Sequence, residues 1–285
     1  PQADGQAAAM TGDGVNDAPA RRRADIGVAM GRKGTEVAKE ASDVILADDN
    51  FASIAAAIRE GRAVYDNVRK FILFMLPTNG GEALVVIAAI LFDLTAPLTA
   101  AQVLWITLAT VSPLGLALAF APGEGDVMRR PPRPPGESLL SGFFVWRVAY
   151  VSALMAAGTL GLFLWELARG VDEDLARTVA VNTIVVAEML YLVSSRRIVG
   201  PAFSRRGLTG NRWVAISIAA AIGLQIAFTY APPMQAVFSS AALSATDWLK
   251  VIAVAAAVML AVEAEKLIIR RTATGRRRTP PATAP

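Results

Sequence analysis

The chain has 285 residues, of which 54% are hydrophobic, and its mean hydropathy is +0.45. This composition argues against an ordinary soluble domain. The sequence contains no cysteine and no histidine, which excludes disulfides, thiolate metal sites and the commonest transition-metal ligand. The formal net charge is +4, but the arginines cluster at the ends of apolar runs, so we expect no nucleic-acid partner.

Residues 1–66 predict the end of an α/β domain. Short apolar strands alternate with short helices, a pattern that implies a parallel sheet. About three strands cannot complete a domain, so we expect the remainder of it upstream. The predicted elements are strands Ala7–Thr11, Ile26–Met30 and Val44–Leu46, helices Asp17–Ala24 and Glu36–Ala41, and a helix from Phe51 capped by Asp48–Asn50.

Six apolar runs follow, and each approaches or exceeds the roughly 20 residues that cross about 30 Å of hydrocarbon. They predict an α-helical membrane domain over residues 67–270, with a disordered cytoplasmic tail over 271–285. The shortest run is the fourth. The predicted spans are 71–92, 100–120, 143–167, 178–193, 213–230 and 248–269.

The placement of arginine predicts the orientation of these spans. Alternate connectors are rich in arginine, whereas the loops near Asp93 and Pro232 have no lysine or arginine. By the positive-inside rule, the first 66 residues and the C-terminus are cytoplasmic. The arginines concerned are Arg129, Arg130, Arg133, Arg196, Arg197, Arg205, Arg206, Arg212, Arg270, Arg271 and Arg276–Arg278.

The segment Thr11–Asp17, here called the Asp13 loop, carries the chemical motif of the first part. Gly12 and Gly14 on either side of Asp13 let the backbone turn tightly. A carboxylate at a strand end suits Mg²⁺, which takes one or two carboxylates together with phosphate oxygens. Asn16 can donate to a phosphate, and Asp17 can cap a helix or orient the loop. A plain surface turn explains Gly-Asp-Gly alone, but the full string to Pro19 favours phosphate chemistry.

Several motifs in the right order resemble P-type ATPases. Met10–Pro19 and Ala24–Gly31 resemble the hinge motif and the end of the phosphorylation domain. The resemblance covers nearly the whole chain and is to the C-terminal part of a type II, calcium-pump-like, bacterial-type cation pump. The other matching segments are Val44–Phe51 and Glu60–Tyr65 at the start of the stalk, and Asp126–Pro132 with Leu139–Gly142 after the family's sixth membrane helix.

The resemblance implies a haloacid-dehalogenase-like phosphorylation domain on ten membrane helices, of which these spans are the last six. It implies Mg²⁺ and ATP as cofactors and a phosphorylated aspartate in an Asp-Lys-Thr-Gly-Thr motif. That motif and the nucleotide domain are not in this sequence, so the chain alone is predicted inactive. Asp13 matches the Mg²⁺ ligand, Asn16 and Asp17 match supporting positions, and Thr11, Gly12 and Gly14 complete the motif. Arg21–Arg23 stand where the family usually has Leu-Lys-Lys.

Two carboxylates in the spans are candidates for cation binding. A charge at the bilayer centre costs about 2.5–3.5 kcal/mol on insertion scales, so Glu82 and Glu188 are functional candidates by default. Asn79 lies three residues before Glu82, and Pro77 with Gly80 loosens the helix around them. By resemblance both glutamates match ligand positions of calcium pumps. The alternative is a neutral carboxylic acid that hydrogen-bonds between helices.

The second span departs from calcium pumps, which carry Asn, Thr and Asp where this chain has Thr107, Thr110 and Val111. The hydroxyls can ligate a cation, although back-bonding to a helix carbonyl remains open for Thr107 and Ser112. Pro113 is expected to kink or unwind the helix. It has no flanking cysteine, which argues against copper or zinc. We therefore predict one main cation site, built by Asn79, Glu82, Thr107, Thr110 and Glu188.

The remaining charged residues of the spans are interpreted as ordinary. Glu166, Glu263, Glu265 and Lys266 are expected to be solvated or snorkelling at the interface.

Together these observations predict a cation pump of the bacterial plasma membrane. Its expected partners are Ca²⁺ or a monovalent cation, the lipid bilayer and the upstream remainder of the pump. Two alternatives remain: a membrane-tethered haloacid-dehalogenase-like phosphatase, and a non-catalytic membrane fragment or accessory subunit.

Overall fold

The structure is a computed structural model that describes residues 7–123, 125–133, 139, 141–196 and 212–276, without the side chains of 15, 18 and 272–276. The chain divides into two compact units. The first contains residues 1–66 and 123–139, and the second contains residues 67–122 and 140–285. The predicted connector arginines Arg197, Arg205 and Arg206, together with Leu140, lie outside the described residues.

The first unit contains a three-stranded parallel sheet, as predicted. Its strands are β1 (Ala9–Gly12), β2 (Ile26–Met30) and β3 (Val44–Leu46), in the order β1-β2-β3. The helices α1 (Ala18–Arg23) and α2 (Glu36–Glu40) connect them. Strand β2 lies in the middle and is buried from its second residue onward. The carboxyl ends of β1 and β2 therefore meet at one edge of the sheet, where the Asp13 loop begins.

The predicted cap at Asp48–Asn50 is confirmed. Helix α3 (Phe51–Leu91) begins directly after Asn50, whose Oδ1 accepts a hydrogen bond from Ala52 N at 2.9 Å. Asp49 has a positive φ of 55°, and its carboxylate accepts from Arg32 N at 2.9 Å and Lys33 N at 3.0 Å. The hydrogen bond from the Arg32 backbone N–H lowers the pKa of Asp49 below its ordinary value.

The second segment of the first unit packs on the start of α3. Arg62 Nη1 donates to the carbonyl oxygens of Val127 and Arg130, both at 3.0 Å. Arg130 in turn pairs with Asp66, with Nη1 and Oδ2 separated by 2.6 Å. These contacts hold the segment that resembles the family's loop after the sixth membrane helix.

The second unit is helical, and five described helical stretches are long and apolar enough to cross a membrane: Phe51–Leu91, Ala100–Ala119, Gly142–Ala168, Glu173–Ser195 and Arg212–Tyr230. The predicted fourth span, the shortest, extends to 23 residues as Glu173–Ser195. The helices are α4 (Ala100–Trp105), a π-helical segment (Ile106–Val111), α5 (Ser112–Ala119), α6 (Gly142–Ala168), α7 (Glu173–Ser195), α8 (Arg212–Tyr230), α9 (Pro232–Phe238) and α10 (Ala245–Arg276).

The sixth predicted span, 248–269, falls inside α10, which is not among those five stretches, so that span stays a prediction. Helix α10 continues to Arg276. Residues 271–276, expected to begin a disordered tail, are therefore helical. Residues 277–285 of that tail lie outside the described part of the chain.

Helices α6, α7 and α10 pack side by side, and ion pairs join α6 to α10 near both ends. Arg147 Nη2 lies 2.6 Å from Glu265 Oε2, and Lys250 Nζ lies 2.6 Å from Glu166 Oε1. Because residue numbers rise along one helix as they fall along the other, the two helices are antiparallel. This is the arrangement expected of spans that cross a membrane in opposite directions.

The interpretation of the span charges as solvated or snorkelling is wrong for Glu166 and Lys266. Glu166 is 1% exposed and Lys266 is fully buried. Lys266 Nζ donates to Ser194 O at 2.7 Å and to Glu263 Oε1 at 2.8 Å. These side chains lie on helix faces that a neighbouring helix covers, and each finds an opposite charge there. A buried charge is tolerated when it is paired and hydrogen-bonded in this way.

Candidate functional site

The Asp13 loop follows β1 at the carboxyl edge of the sheet. Asp13 and Asn16 are exposed, whereas Thr11 is half-buried within the strand. A 3₁₀ turn over Val15–Asp17 leads into α1. Asp17 folds back into the loop, where its Oδ2 accepts a hydrogen bond from Gly14 N at 3.4 Å. The two carboxylates of the loop therefore differ, since Asp13 faces outward and Asp17 orients the backbone.

Gly12 makes room for this arrangement. A Cβ at Gly12 would lie 2.5 Å from Asp17 Oδ2 and 2.8 Å from Arg21 Nη1, too close for any side chain. Arg21 is 1% exposed and donates from Nη2 to Gly14 O at 3.0 Å. Sequence reasoning treated Arg21 only as part of a run that keeps positive charge. Its role beneath the loop was missed, although it occupies the position where the family usually has Leu.

The donor set of the loop fits Mg²⁺. The Asp13 carboxylate is exposed at a strand end, and Asp17 is already engaged by the backbone of the loop. No described cluster of three or more Asp or Glu residues could hold a metal by itself. A magnesium ion at Asp13 would take its remaining ligands from phosphate oxygens and water, which is its usual mode of binding.

Four of the five predicted cation residues of the spans come together around the π-helical segment. Glu82 on α3 is 4% exposed, and Glu188 on α7 is fully buried. Thr107 Oγ1 lies 3.4 Å from Glu82 Oε2, and Thr110 Oγ1 lies 3.3 Å from Glu188 Oε2. These four residues form what we call the Glu82–Glu188 site, in which each carboxyl group faces one threonine hydroxyl.

The structure shows the back-bonding that the sequence left open for Thr107 and Ser112, and ligation of a cation by these hydroxyls stays a prediction. Thr107 Oγ1 lies 3.0 Å from Val103 O, and Thr110 Oγ1 lies 2.6 Å from Ile106 O. A hydroxyl has one proton and two lone pairs. Each threonine hydroxyl therefore lies within reach of two acceptors, a backbone carbonyl and a carboxyl oxygen, and its single proton serves one of them at a time.

Two carboxylate oxygens of the site have no hydrogen-bond partner among the described residues. They are Glu82 Oε1 and Glu188 Oε1, and both are buried. A buried carboxylate without partners is costly unless a proton or a cation compensates it. The two orphaned oxygens are therefore open to either a proton or a cation.

The π-helical segment explains how the two threonines are presented. Unwinding was expected at Pro113, and the irregular turn is found immediately before it, over Ile106–Val111. Pro113 lies in the first turn of α5 and lacks the N–H that would continue a regular ladder. Ser112 Oγ donates to Thr107 O at 2.8 Å, a bond five residues back that suits the wider turn. Such π turns are frequent at functional sites.

Asn79, the fifth predicted cation residue, is not brought to the Glu82–Glu188 site. Its side chain is exposed, and no described hydrogen bond joins it to Glu82. Three residues along an α-helix leave two side chains about 60° apart. This offset lets Glu82 face the interior while Asn79 faces outward. Val111, the position that lacks the family's carboxylate, is fully buried in the apolar core.

Sequence reasoning missed Tyr191, which compensates for Pro77. Pro77 has no N–H, so the carbonyl of Leu73 loses its helical partner. Tyr191 OH donates to Leu73 O at 2.8 Å, and Ser152 Oγ donates to Pro77 O at 3.0 Å. Gly80 leaves the space that Ser152 occupies, because a Cβ there would collide with its Oγ. The sequence signal that could have identified Tyr191 and Ser152 is their position as polar residues within apolar spans.

We predict that Tyr191→Phe destabilises the protein by about 1–3 kcal/mol, the usual cost of an unsatisfied buried polar group. The phenyl ring keeps the stacking on Phe74, where the ring centroids are 6.3 Å apart, so the loss isolates the hydroxyl. Tyr150→Phe is the matched control, because Tyr150 OH donates at 3.2 Å to Ala261 O, which lies in a helix without proline. Thermal inactivation of the purified pump measures both, and equal losses would contradict the proline argument.

The fold and the site define an integral membrane protein with a small α/β unit and buried carboxyl groups between its helices. A sequence profile described as "Cation transporting ATPase, C-terminus" matches residues 95–268. The chain belongs to the cation-transporting P-type ATPase family and forms the C-terminal part of such a protein.

Relatives support this assignment over nearly the whole chain. It is 49% identical over 269 residues to the probable cation-transporting ATPase F of Mycobacterium tuberculosis, which covers 94% of this chain and 30% of that protein. It is 42% identical over 257 residues to the calcium-transporting ATPase of Bacillus subtilis, covering 90% and 28%. It is 37% identical over 269 residues to the human calcium-transporting ATPase type 2C member 1, covering 94% and 29%. The chain therefore spans about 30% of the length of these relatives.

Proposed function

We propose that the complete protein is an ATP-driven cation pump in which an Mg²⁺-dependent aspartyl-phosphate cycle drives transport through the Glu82–Glu188 site. The observation that carries the proposal is the pair of buried carboxyl groups, each with an unpartnered oxygen and each facing a threonine hydroxyl. An intramembrane carboxylate is costly, and transport sites are where such groups are found. The names of the relatives from Bacillus subtilis and human, both calcium-transporting, favour the same reading.

In the first unit, the Asp13 loop would hold Mg²⁺ against a phosphate. Asp13 offers the outward carboxylate, and Asn16 is exposed beside it to donate to phosphate oxygens. Asp17 and Arg21 hold the shape of the loop, because Asp17 accepts a hydrogen bond from the Gly14 N–H and Arg21 donates one to the Gly14 carbonyl. The bound Mg²⁺ would neutralise charge on the phosphoryl group during its transfer. The residues of this chain contribute positioning, while the acceptor aspartate and the ATP site belong to the remainder of the pump.

In the second unit, Ca²⁺ is the cation that we favour. The two carboxylates balance one divalent ion or up to two monovalent ions, and the threonine hydroxyls add neutral oxygens. Val111 supplies no oxygen at the position where calcium pumps carry a carboxylate, so the site holds one Ca²⁺ rather than two. Na⁺ or K⁺ is the alternative cargo, because charge balance allows either.

The orientation follows from the arginines. We infer that the first unit and the end of α10 are cytoplasmic, since Arg129, Arg130 and Arg196 share that side. The loop before α7, which carries Asp172 and Glu173, then faces outward. A bacterial plasma membrane fits the bacterial relatives. The chain alone is inactive in this proposal, because it lacks the acceptor aspartate.

A membrane-tethered phosphatase and a non-catalytic accessory subunit account for less of the molecule. The phosphatase reading explains the Asp13 loop but gives no reason for carboxylates between the spans. The accessory reading explains neither the loop nor the Glu82–Glu188 site. Both glutamates are buried among the helices of the second unit, where a pump requires carboxylates.

Transport by the complete pump tests the proposal directly. We expect ATP-dependent accumulation of Ca²⁺ in inverted membrane vesicles that contain the pump, because its cytoplasmic side then faces the medium. Vesicles from cells without the gene are the control, and an ionophore should release the accumulated ion. ATP hydrolysis without accumulation of Ca²⁺, Na⁺ or K⁺ would favour the phosphatase alternative.

A further inference from the structure

A second buried polar cluster lies between α7, α8 and the end of α4, outside the Glu82–Glu188 site. Trp105 Nε1 donates to Gln225 Oε1 at 3.2 Å, and Gln225 Nε2 donates to Asn182 Oδ1 at 3.1 Å. Asn182 Nδ2 then donates to Thr178 O at 2.9 Å and to Thr229 Oγ1 at 3.2 Å. Asn182, Gln225 and Thr229 are all buried. These residues form a continuous chain of hydrogen bonds across three helices.

Trp105, the first member of this chain of hydrogen bonds, determines which way each of the bonds points. An indole N–H can only donate, so the carbonyl end of the Gln225 amide must face Trp105. The amide nitrogen of Gln225 then faces Asn182, and the nitrogen of Asn182 must face Thr178 and Thr229. Each side-chain amide is therefore held in one orientation. Removal of a single member leaves the next one with an unsatisfied buried group, which is expensive in an apolar setting.

The two ends of this chain of hydrogen bonds lie on or directly beside two of the three elements that supply the cation ligands. Trp105 is the last residue before the π-helical segment that carries Thr107 and Thr110. Asn182 is six residues before Glu188 on α7, about 9 Å along the helix axis. Gln225 on α8 joins the two. Trp105 is also packed against Phe228 and Phe238, with ring centroids 5.6 Å and 5.1 Å apart, so the hydrogen bond acts on a ring that is already confined.

Attachment of α8 alone does not account for these residues. Helix α8 buries only a narrow stripe, and two of its five buried residues are Gln225 and Thr229. A hydrogen bond between α7 and α8 would be sufficient to attach α8, yet the chain of hydrogen bonds continues from Gln225 to Trp105 at the end of α4. Helix α8 supplies no residue to the Glu82–Glu188 site, so Gln225 can affect that site only through its hydrogen-bond partners Trp105 and Asn182.

We propose that Gln225 and Asn182 are positioning residues that set the separation between the π-segment hydroxyls and Glu188, and thereby the affinity for the transported cation. The inference rests on the proposed function, since it assumes that the Glu82–Glu188 site binds cargo. Loss of the link lets Trp105 and the π-helical segment shift relative to α7. The cation then binds more weakly, while the phosphate chemistry of the first unit is unchanged.

The test measures the Ca²⁺ concentration that half-saturates ATP hydrolysis by the complete pump. Gln225→Leu and Trp105→Phe are each expected to raise it about tenfold, because each breaks the hydrogen-bonded link between Trp105 and Asn182, with an unchanged maximum rate. Trp105→Phe keeps an aromatic ring at that position. The double variant should resemble either single variant, because one break is enough to interrupt the link. Trp248→Phe is the control, since Trp248 Nε1 donates to Tyr230 OH at 2.7 Å and that bond does not lead to the site.

The outcomes separate this inference from the proposed function. Phosphorylation by inorganic phosphate reports whether each variant is folded, and Trp105→Phe remains informative if Gln225→Leu is not. An unchanged half-saturating concentration in the folded variants, or effects that multiply in the double variant, would overturn the positioning role. A Glu82→Gln pump with normal Ca²⁺ dependence would instead overturn the proposed function, whatever the Gln225 result.

Discussion

Asp13→Asn in the complete pump is expected to reduce Mg²⁺-dependent phosphoenzyme formation by on the order of a hundredfold, the usual effect of removing one preorganised charge-stabilising group. The amide keeps the shape of the side chain but loses the negative charge that binds Mg²⁺. Asp13 is exposed at the end of β1 and makes no described side-chain hydrogen bond, so the substitution leaves the fold intact. Phosphoenzyme formed from ATP over a series of Mg²⁺ concentrations measures the effect.

Asp43→Asn is the matched control for this prediction. Asp43 directly precedes β3 of the same sheet, and its Oδ2 accepts from Gly27 N at 2.8 Å, a bond that an asparagine oxygen can also accept. We expect Asp43→Asn to form phosphoenzyme normally at every Mg²⁺ concentration. If Asp13→Asn also retained the normal Mg²⁺ dependence, Asp13 would be removed from the magnesium site.

The fold was largely predictable because its signals are local. Strands β1–β3 and helix α2 lie within two residues of their predicted bounds, since alternation of apolar runs and turn residues marks them directly. Spans are predictable for the same reason, because length and hydropathy alone mark them. The burial of Lys266 was not predictable in this way. It depends on which helix covers which face, and that is a property of tertiary packing.

The sequence predicted four residues that the structure brings together at the candidate site, but not the contacts that support them. Glu82 and Glu188 are visible in the sequence because a carboxylate in an apolar run is rare. The pairing of Thr107 with Glu82 depends on the π-helical segment, and a π turn has no simple sequence pattern. Asn79 was misplaced because helical spacing fixes the angle between two side chains but not which of them faces inward. Tyr191 acts on a carbonyl that Pro77 leaves free, and that contact joins residues 118 positions apart.

Glu82→Gln is expected to abolish Ca²⁺-stimulated ATP hydrolysis by the complete pump, a loss of at least about a hundredfold. The amide removes one of the two charges that balance the cation, and an uncompensated buried charge costs several kcal/mol. Phosphorylation by inorganic phosphate should continue, because that reaction uses the first unit. Glu173→Gln is the control, since Glu173 is an exposed carboxylate at the start of α7. A Glu82→Gln pump with normal transport would remove Glu82 from the site.

Glu188→Gln is expected to weaken Ca²⁺ stimulation less than Glu82→Gln.

The number of bound ions follows from a count of the oxygen atoms that the site offers. Each carboxylate offers two oxygens and each of Thr107 and Thr110 offers one, so the site provides six, enough for a single Ca²⁺. A second Ca²⁺ would bring four positive charges against two negative ones and would find no oxygen at Val111. Equilibrium binding of Ca²⁺ to the full-length protein should therefore saturate at one tightly bound ion per pump. Two tightly bound ions would require further ligands from outside this chain and would contradict the one-site proposal.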